Sequence, residues 1–421
     1  MLDLKFIREH PDLVKDGIRK KGDVDRIDDI LKLDLQRRDI LQKVEVLKSR
    51  RNVVSAEIGK LKKEGKDASS ALAEMETGKN QIHAFDTELR QVEDSLNALM
   101  LQVPNVPHPS VPEGKTPGDN AEIAKWGEIP VIDFKPKPHW ELVEKLDIID
   151  FERGVKVTGA GFPIYKDKGA KLERALINFF LDEAASRGYT EIAPPLMINT
   201  TSATGTGQLP DKEDLMYVAT KDELFLVPTA EVPVTNIFRD EMLEEKNLPI
   251  KFCAYTPCFR REAGSYGKDV RGLNRLHQFD KVELVKFVHP GVSYNELDRL
   301  REDAELLLQK LGLHYRVLLM CTGDMGFTQA KKYDLEVWSV GQQRWLEVSS
   351  ISNFEAFQAR RTNIRFKPSG GGKPEFVHTL NGSGLALPRV VAALLEQYQT
   401  PEGKVIIPKI LHKYTGFEVI G

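Results

Sequence analysis

The 421-residue sequence has few cysteines, no long apolar run and no excess of charge of either sign. Its three cysteines, Cys253, Cys258 and Cys321, are an odd number in a long chain, which favours free thiols in a reducing compartment over a disulfide framework. No second Cys/His pair with ligand spacing accompanies Cys253 and Cys258. We therefore expect no structural zinc site.

Features of membrane and exported proteins are lacking as well. No apolar run approaches the ~18 residues that span a bilayer, and the first 22 residues carry charges throughout with no apolar core. We expect a soluble, cytoplasmic protein without a membrane partner. Lys+Arg (60) nearly balance Asp+Glu (63), so a polyanionic partner would have to be met by local basic patches.

The first recognisable pattern along the chain is a long helical one, from about Asp28 to Val103. Apolar residues recur at alternate spacings of three and four from Leu33 to Leu61, and again from Leu72 to Val103. This spacing is typical of a heptad seam. The segment KEGKDASS interrupts the pattern, so the sequence predicts an antiparallel helical hairpin with helices of roughly 35–40 residues each.

Charge is unevenly divided between these two helices. Residues 27–66 carry eleven Lys/Arg and seven Asp/Glu, whereas residues 68–101 carry two and six. Charge complementarity between the helices accounts for part of this difference. A phosphate-binding face on the first helix is the alternative. The candidate RNA-contacting residues are Arg37, Arg38, Lys43, Lys48, Arg50 and Arg51.

The hairpin is followed by a change of composition. Residues 104–118 include five prolines and predict a linker between domains. Beyond this stretch, Ala170–Gly188 has helical periodicity, whereas runs such as IKFCAYTPCF and KVELVKFV are strand-like and separated mostly by turns. This pattern predicts an α+β domain with a mainly antiparallel sheet flanked by helices.

Neither a GxxxxGK[ST] loop nor a GxGxxG fingerprint occurs, so a nucleotide site must be of another kind. The stretch Cys258–Phe279 places four arginines and a lysine around several glycines between two strand-like runs. Arg260 and Glu262 would share one strand face, and so would Arg275 and Phe279 if the strand has already resumed at Arg275. Arginines suit a triphosphate, Phe279 a purine, and the glycines a loop that closes over the ligand. An exposed hairpin with incidental charge is the alternative.

Three motifs carry a family resemblance when taken in chain order. SRGYTEIAPP, FRRE followed by RLHQF, and LNGSGLALPRVVAALLEQY resemble motifs one, two and three of the class II aminoacyl-tRNA synthetases. In the third motif we expect a strand, a glycine turn and then a helix. The whole chain, 1–421, resembles the bacterial type of seryl-tRNA synthetase, with PTAEV and EVSSISNFEAFQARR as further matching segments.

The resemblance implies activation of L-serine with ATP to seryl-adenylate and transfer of the seryl group to the 3′ end of tRNA(Ser), and of tRNA(Sec) where such a tRNA exists. It implies a homodimer that uses Mg²⁺ and contacts the long variable arm and the acceptor end of the tRNA. The expected domains are a tRNA-binding domain at 1–103 with a coiled-coil arm at about 28–103, the linker at 104–118, and a class II catalytic domain at 119–421.

The resemblance also implies roles for individual residues. The catalytic residues would be Arg260, Glu347 and Arg389. Serine would be held by Thr229, Ala230, Glu231, Arg260, Glu283, Asn381 and Ser383. ATP would be bound by Arg260, Arg261, Glu262, Arg271, Arg275, Leu276, Phe279, Glu347, Val348, Ser349, Ser350 and Arg389. Glu347 and Ser350 would hold Mg²⁺, and since strict strand alternation would point them to opposite faces, we predict a bulge or strand end there.

Three other functions are weighed against this one. A synthetase-like amino acid:carrier-protein ligase would lack the arm and hold its amino acid at a zinc ion, but Thr229 stands where its thiol ligand is expected. A non-catalytic RNA-binding paralogue is disfavoured by Arg260, Glu347 and Arg389. A coiled-coil scaffold leaves residues 120–421 unexplained. The one departure in the third motif is Pro388, which is tolerated near a helix start.

Overall fold

Helices and strands arise where apolar residues recur with the period of each. A computed structural model describes residues 1–262 and 271–421. Its helices are α1 Leu4–Glu9, α2 Pro11–Lys21, α3 Ile27–Lys63, α4 Ser69–Met100, α5 His139–Leu146, α6 Phe151–Val157, α7 Asp167–Ser186, α8 Thr200–Thr206, α9 Glu231–Thr235, α10 Ser293–Lys310, α11 Phe357–Thr362, α12 Leu387–Gln397 and α13 His412–Thr415. Within the described ranges, no helix has both the length and the apolar character that a bilayer crossing requires.

The strands are shorter and lie mostly beyond residue 120. They are β1 Ala121–Trp126, β2 Ile149–Asp150, β3 Ile164–Tyr165, β4 Thr190–Glu191, β5 Met197–Asn199, β6 Val218–Ala219, β7 Leu224–Leu226, β8 Met242–Glu244, β9 Ile250–Phe259, β10 Gln278–Val288, β11 Tyr315–Leu319, β12 Lys331–Ser339, β13 Arg344–Asn353, β14 Arg365–Lys367, β15 Glu375–Phe376, β16 His378–Ala386, β17 Val405–Ile406 and β18 Val419–Ile420. By its backbone contacts the described chain divides into two units, one formed by residues 2–19 with 23–103 and one by the remainder.

In the N-terminal unit, α3 and α4 form the predicted antiparallel hairpin. Ile40 and Val44 pack against Val92 at one level, and Val54 and Ile58 pack against Ala71 at another. Pairing of early residues of α3 with late residues of α4 is what an antiparallel seam requires.

The seam of α4 begins one residue earlier than the sequence predicts. Leu72 was assigned to it, but Leu72 is 45% exposed and Ala71 is 8% exposed. The partly buried Met75 and the buried Ile82 continue the stripe from Ala71. The prediction was wrong because the larger apolar residue was taken for the buried one, whereas the small side chain of Ala71 faces Val54.

The second unit is built on an eight-stranded sheet in the order β1-β11-β12-β13-β16-β10-β9-β4. Neighbouring strands are antiparallel except β4 and β9, which are parallel. Helices α7, α10 and α12 bury apolar side chains on it, including Phe180, Leu300 and Leu394. The prediction of a mainly antiparallel sheet flanked by helices is confirmed.

The glycines of the third motif lie in a strand and do not form the predicted turn. Strand β16 runs through Gly382 and Gly384, and α12 follows it directly. A Cβ on Gly382 would lie 3.2 Å from the Leu300 side chain, and one on Gly384 would lie 3.1 Å from that of Leu284. The turn prediction was wrong because these glycines serve close packing within the core rather than a change of chain direction.

The proline-rich stretch 104–118 packs on the second unit. Asn105 is 3% exposed, and its Nδ2 donates to the carbonyl oxygens of Thr328 at 3.0 Å and Phe354 at 2.9 Å. The backbone N–H of His108 donates to Ala330 O at 2.8 Å. Prolines exclude an α-helix here, as the sequence predicts. The polar groups of Asn105 and His108 instead hydrogen-bond to backbone carbonyls of the second unit.

Candidate active site

Three neighbouring strands, β10, β13 and β16, contribute side chains to one cavity of about 490 Å³. On β10 these side chains are Phe279, Lys281 and Glu283, which lie two residues apart and so share a face. The predicted site residues that line the cavity are Thr229, Glu231, Arg260, Glu262, Arg275, Leu276, Phe279, Glu283, Glu347, Val348, Ser349, Ser350, Asn381, Ser383 and Arg389.

Three predicted site residues lie elsewhere among the described residues. Ala230 is fully buried in an apolar cluster with Val234. Arg261 has an exposed side chain, and its backbone N–H donates to Leu215 O at 2.9 Å. The Arg271 guanidinium lies 4.7 Å from the centre of the Trp140 ring. The middle of the predicted closing loop, residues 263–270, lies outside the described residues.

Two carboxylates, Glu231 and Glu283, meet at one end of the cavity, here called the acidic end. Asn381 Nδ2 donates to Glu231 Oε2 at 2.8 Å and to Glu283 Oε1 at 3.2 Å. Ser383 Oγ–H donates to Glu283 Oε2 at 3.4 Å. Glu231 is 6% exposed and Glu283 1% exposed, so both carboxylates are bound by protein donors instead of bulk water. An ammonium and a hydroxyl are the groups that this arrangement suits.

A buried lysine that sequence reasoning missed also belongs to the acidic end. Lys281 Nζ donates to Thr229 Oγ1 at 2.8 Å and lies 2.5 Å from Glu283 Oε2. Glu231, Glu283 and Lys281 together comprise two carboxylates and one ammonium, an arrangement that suits a cationic ligand. The two-residue spacing of Phe279, Lys281 and Glu283 is the signal that could have found it.

Gln358 on α11 supports the acidic end from behind and was also missed. Its Nε2 donates to Glu231 Oε1 at 2.6 Å, and its Oε1 accepts from Thr379 Oγ–H at 2.7 Å. Burial and the neighbouring Glu283 carboxylate raise the pKa of Glu231, and the Gln358 hydrogen bond acts in the opposite direction. No sequence spacing links Gln358 to Glu231, which lies 127 residues away.

Arginines occupy the other end of the cavity, here called the cationic end and formed by Arg260, Arg275 and Arg389. The Arg260 guanidinium lies 5.2 Å from the centre of the Phe279 ring, and its Nε donates to Pro228 O at 3.3 Å. Strand β9 ends at Phe259, so the predicted sharing of one strand face by Arg260 and Glu262 is wrong. The chain leaves the sheet there, and Glu262 reaches the cavity from a backbone with φ of +48°.

Arg275 and Glu262 contact each other across the base of the loop. Arg275 Nε lies 2.5 Å from Glu262 Oε2. Strand β10 begins at Gln278, so Arg275 precedes it and does not share a strand face with Phe279 as predicted. Both side chains nevertheless line the cavity. A ligand with anionic oxygens would have to draw Arg275 away from Glu262.

Arg389, at the start of α12, is held by two backbone carbonyls. Its Nε donates to Asn274 O at 3.0 Å, and its Nη1 donates to Glu347 O at 2.9 Å. The same Nη1 lies 3.7 Å from Glu347 Oε2. Pro388 lies in the first turn of α12, as the sequence predicts, where its missing N–H leaves no helical hydrogen bond unmade.

The predicted irregularity between Glu347 and Ser350 is confirmed. In the β12–β13 ladder Glu336 pairs with Glu347 and Leu335 with Ser349, so Val348 is an extra residue that opposes no partner. This β-bulge shifts the alternation by one, and Glu347 and Ser350 therefore share a face. Both side chains line the cavity.

Asp334 and Lys332 on β12 surround this pair. Burial and the Glu347 carboxylate raise the pKa of Asp334, and Lys332, with its Nζ 3.2 Å from Asp334 Oδ2, opposes that shift. Enclosure by the cavity wall alone would raise the pKa of Glu347, but the cations of Lys332 and Arg389 lower it overall. Ser350 stands opposite Asp334 in the β12–β13 ladder, and its hydroxyl acts to lower the pKa of the Asp334 carboxyl.

Oxygen ligands of this kind fit Mg²⁺. Glu347 supplies a carboxylate and Ser350 a hydroxyl, and Asp334 Oδ1 is buried without a hydrogen-bond partner among the described residues. Searched over the same residues, His, Cys, Asp and Glu side chains do not gather in groups of three or more that could hold a metal ion by themselves. Ligand oxygens would therefore have to complete the coordination.

On the hairpin, the predicted RNA-contacting residues fall into three classes. Arg37 and Arg50 reach across to α4, with nitrogens 3.0 Å from Glu93 and 2.6 Å from Glu74. Arg38 and Lys43 pair within α3 with Asp34 and Asp39. Lys48 and Arg51 are exposed and form no ion pair with any described residue. Interhelical complementarity therefore accounts for part of the basic charge, and Lys48 and Arg51 stay candidates for RNA contact.

Comparison with known families gives two matches to this chain. Residues 1–107 match the seryl-tRNA synthetase N-terminal domain. Residues 217–398 match the tRNA synthetase class II core domain (G, H, P, S and T). The second range includes the sheet strands and loops that form both ends of the cavity.

Individual relatives match over the full length. A serine–tRNA ligase of Salinibacter ruber is 56% identical over 425 residues and covers 100% of this chain and 99% of its own length. The crystal structure of seryl-tRNA synthetase from Pyrococcus horikoshii complexed with ATP superposes with a TM-score of 0.95 at 39% identity and covers 100% of this chain and 99% of that one. The cytoplasmic serine–tRNA ligase from Naegleria fowleri in complex with AMP gives 0.88 at 29% identity, over 100% and 98%.

Proposed function

The chain belongs to the seryl-tRNA synthetase family, and from this premise we propose that it charges tRNA in two steps, through a seryl-adenylate made from ATP. That it is a ligase joining serine to tRNA follows from the family itself. The two-step route rests on one observation: a single cavity joins an acidic end that suits an ammonium and a hydroxyl to a cationic end that suits a triphosphate.

In the first step a carboxylate oxygen of serine attacks the α-phosphorus of ATP. A new oxygen–phosphorus bond forms, the bond to the β-phosphate oxygen breaks, and pyrophosphate leaves. The serine carboxylate is already ionised at neutral pH, so no protein base is required. Arg260 and Arg389 would hold the reacting groups in place and offset the charge that develops on the phosphorus oxygens. Phe279 would stack on one face of the adenine, with Arg389 on the other, and Glu262 would accept from the adenine amino group.

Serine would be recognised by its ammonium and its hydroxyl. Glu231 and Glu283 would attract the ammonium, and Ser383, Asn381 and Thr229, which line the same cavity, would exchange hydrogen bonds with the hydroxyl. A buried site of this kind disfavours alanine, because without the hydroxyl its own polar groups would be left unpaired.

Mg²⁺ would be held by Glu347 and Ser350, whose oxygens share one face beside the cationic end. When bound, the ion neutralises charge on the phosphate oxygens and fixes their orientation. Arg275 would leave Glu262 to meet the β- and γ-phosphates, and Arg271 would meet them as well. No zinc enters this scheme.

In the second step a hydroxyl at the 3′ end of the tRNA attacks the seryl carbonyl, and AMP leaves. The domain at 1–103 would bind the tRNA, with the arm at 28–103 on the long variable arm of tRNA(Ser) and, where it exists, of tRNA(Sec). The segment 104–118 would join it to the catalytic domain at 119–421. We further propose that the enzyme works as a homodimer in the cytoplasm.

Amino-acid-dependent exchange of pyrophosphate into ATP tests the first step. All twenty amino acids are assayed with Mg²⁺, and serine is assayed again after chelation. Exchange with serine alone that chelation abolishes supports the proposal. Exchange with glycine or alanine in place of serine would indicate the carrier-protein ligase chemistry, and exchange with none would exclude a free adenylate step.

A further inference from the structure

Behind the cationic end lies a buried polar network whose members have no role in the scheme above. Its centre is Glu396 on α12, which is fully buried. Its oxygens accept hydrogen bonds from the His139 backbone N–H at 2.9 Å, His139 Nδ1–H at 2.9 Å, the Gly341 N–H at 3.0 Å, Gln342 Nε2 at 3.2 Å and Ser339 Oγ–H. Burial alone would raise the pKa of Glu396, and the hydrogen bonds from His139 and Ser339 lower it overall.

His139 is held in one orientation and one tautomer. Its Nε2 accepts from the Leu273 N–H at 2.8 Å, so the ring proton lies on Nδ1 and is donated to Glu396. The preceding residue, Gly272, has φ of +64°, and a Cβ there would lie 2.2 Å from His139 Nε2. Only glycine fits between this ring and the chain. The imidazole therefore connects Glu396 to the segment on which the loop returns to the sheet.

A second series of hydrogen bonds runs from Glu396 to the neighbouring residue of that segment. Gln342 Nε2 donates to Glu396 Oε1 at 3.2 Å, and Gln342 Oε1 accepts from Asn274 Nδ2 at 2.9 Å. The backbone carbonyl of Asn274 in turn accepts from Arg389 Nε at 3.0 Å. Two series of hydrogen bonds thus lead from the Glu396 carboxylate to the consecutive residues Leu273 and Asn274. The carbonyl of Asn274 orients Arg389.

We propose that His139 and Glu396 are positioning residues for the nucleotide, which fix Leu273 and Asn274 and through them the Arg389 guanidinium. The proposal rests on the function above, in which Arg389 contacts ATP. Neither His139 nor Glu396 lines the cavity in the described structure. Apolar side chains could fill the same space, but only hydrogen bonds fix the direction of a backbone N–H and a carbonyl. Burial of the Glu396 carboxylate is unfavourable unless hydrogen bonds compensate for the loss of water.

The test compares His139→Phe with His139→Gln in serine-dependent pyrophosphate exchange, measuring KM for ATP and KM for serine separately. In the Phe variant no acceptor remains for the Leu273 N–H, and KM for ATP is expected to rise about 10-fold. KM for serine should change less than about 2-fold, because the acidic end is held by other strands. In the Gln variant the amide oxygen can accept from Leu273, so KM for ATP should return to within about 3-fold of the parent value.

His314→Phe is the matched control. His314 is also buried, at 6% exposure, and its Nδ1 donates to Trp126 O at 2.8 Å, yet it does not contact residues 273–274. Both KM values should stay unchanged in this variant. Equal rises in the two KM values for His139→Phe, or a Gln variant no better than the Phe variant, would overturn the positioning role.

A second variant keeps the test decisive if His139→Phe does not fold. Gln342→Leu breaks the route to Asn274 and keeps the His139–Leu273 hydrogen bond, so it should raise KM for ATP about 3-fold, again without a matching change for serine. An unchanged KM for ATP in Gln342→Leu contradicts the proposal. Absence of serine-dependent exchange in the parent enzyme would instead refute the proposed function, so the two failures are distinguishable.

Discussion

The two ends of the cavity are held together in different ways. At the acidic end Glu231, Glu283 and Lys281 are buried and bonded to side chains from neighbouring elements. At the cationic end Arg275 is 41% and Arg389 33% exposed. Arg389 is held by backbone carbonyls, and Arg275 pairs with a single carboxylate.

The difference matches what each end would have to do. A buried set of side chains that hydrogen-bond to one another is positioned before the ligand arrives, which favours discrimination between small amino acids. Partly exposed arginines can exchange partners, as Arg275 would have to do when a phosphate replaces Glu262. We therefore expect the acidic end to be rigid and the cationic end to rearrange around its ligand.

The largest effect is expected at the cationic end. Arg389→Ala removes a guanidinium that we place on the adenine and beside the reacting phosphorus, and kcat/KM for ATP should fall about 10³-fold in pyrophosphate exchange. Arg316→Ala is the control, because Arg316 is another partly exposed arginine, packed 4.7 Å from the Trp345 ring and away from the cavity. A loss below about 10-fold for Arg389→Ala would contradict its assignment.

At the acidic end, Glu283→Gln keeps the shape of the side chain and removes its charge. Lys281 then loses its ion-pair partner, and the acidic end loses one of its two carboxylate charges. KM for serine should rise about 100-fold while KM for ATP changes little, as measured by steady-state exchange at saturating concentrations of the other substrate. Glu336→Gln, on β12 and outside the cavity lining, should alter neither value.

A parallel rise of both KM values in Glu283→Gln would show that the two ends are not separate sites. The contrast between a rigid and a rearranging end would then fail.

Gln358→Leu removes a support of the acidic end without touching the ligand. The hydrogen bond from Gln358 lowers the pKa of Glu231, so its loss should raise that pKa further. Because the protonated acid cannot attract an ammonium, KM for serine should rise about 10-fold and should increase more steeply than in the parent enzyme as pH falls from neutrality. The measurement is KM for serine as a function of pH.

An equal pH dependence in Gln358→Leu and the parent would exclude this role. Gln329→Leu is a suitable comparison, since Gln329 lines the cavity but does not hydrogen-bond to Glu231.

The same contrast shows what the sequence could predict. The hairpin and the strands β9 and β10 are predicted from the local spacing of residues, and the bulge beside Ser350 is predicted from the roles that the resemblance implies for Glu347 and Ser350. The motif residues at both ends of the cavity were identified by resemblance, and most of them line it. Leu72 was misplaced because local spacing fixes the period of a stripe better than its exact register.

What the sequence could not predict are contacts between distant segments. Gln358 reaches Glu231 from a separate helix, and His139 reaches Glu396 from 257 residues away. Gln358 lies within the matching segment EVSSISNFEAFQARR, but neither its spacing nor that of His139 indicates the distant partner. The strand course of Gly382 and Gly384 was missed for a related reason, since their packing against Leu300 and Leu284 depends on how the sheet and helix meet.

The smallest effects are expected on the hairpin, where most charged side chains are exposed. Lys48 forms no ion pair with any described residue, whereas Arg50 pairs with Glu74 on the opposite helix. If the first helix contacts RNA phosphates, Lys48→Ala should weaken tRNA binding a few-fold and reduce the slope of log K against log salt by about 1. Pyrophosphate exchange should stay unchanged. Arg50→Ala should have a smaller effect on the slope, because Arg50 already pairs with Glu74 within the hairpin. Equal slopes for the two variants would contradict the distinction between paired and unpaired cations on this helix.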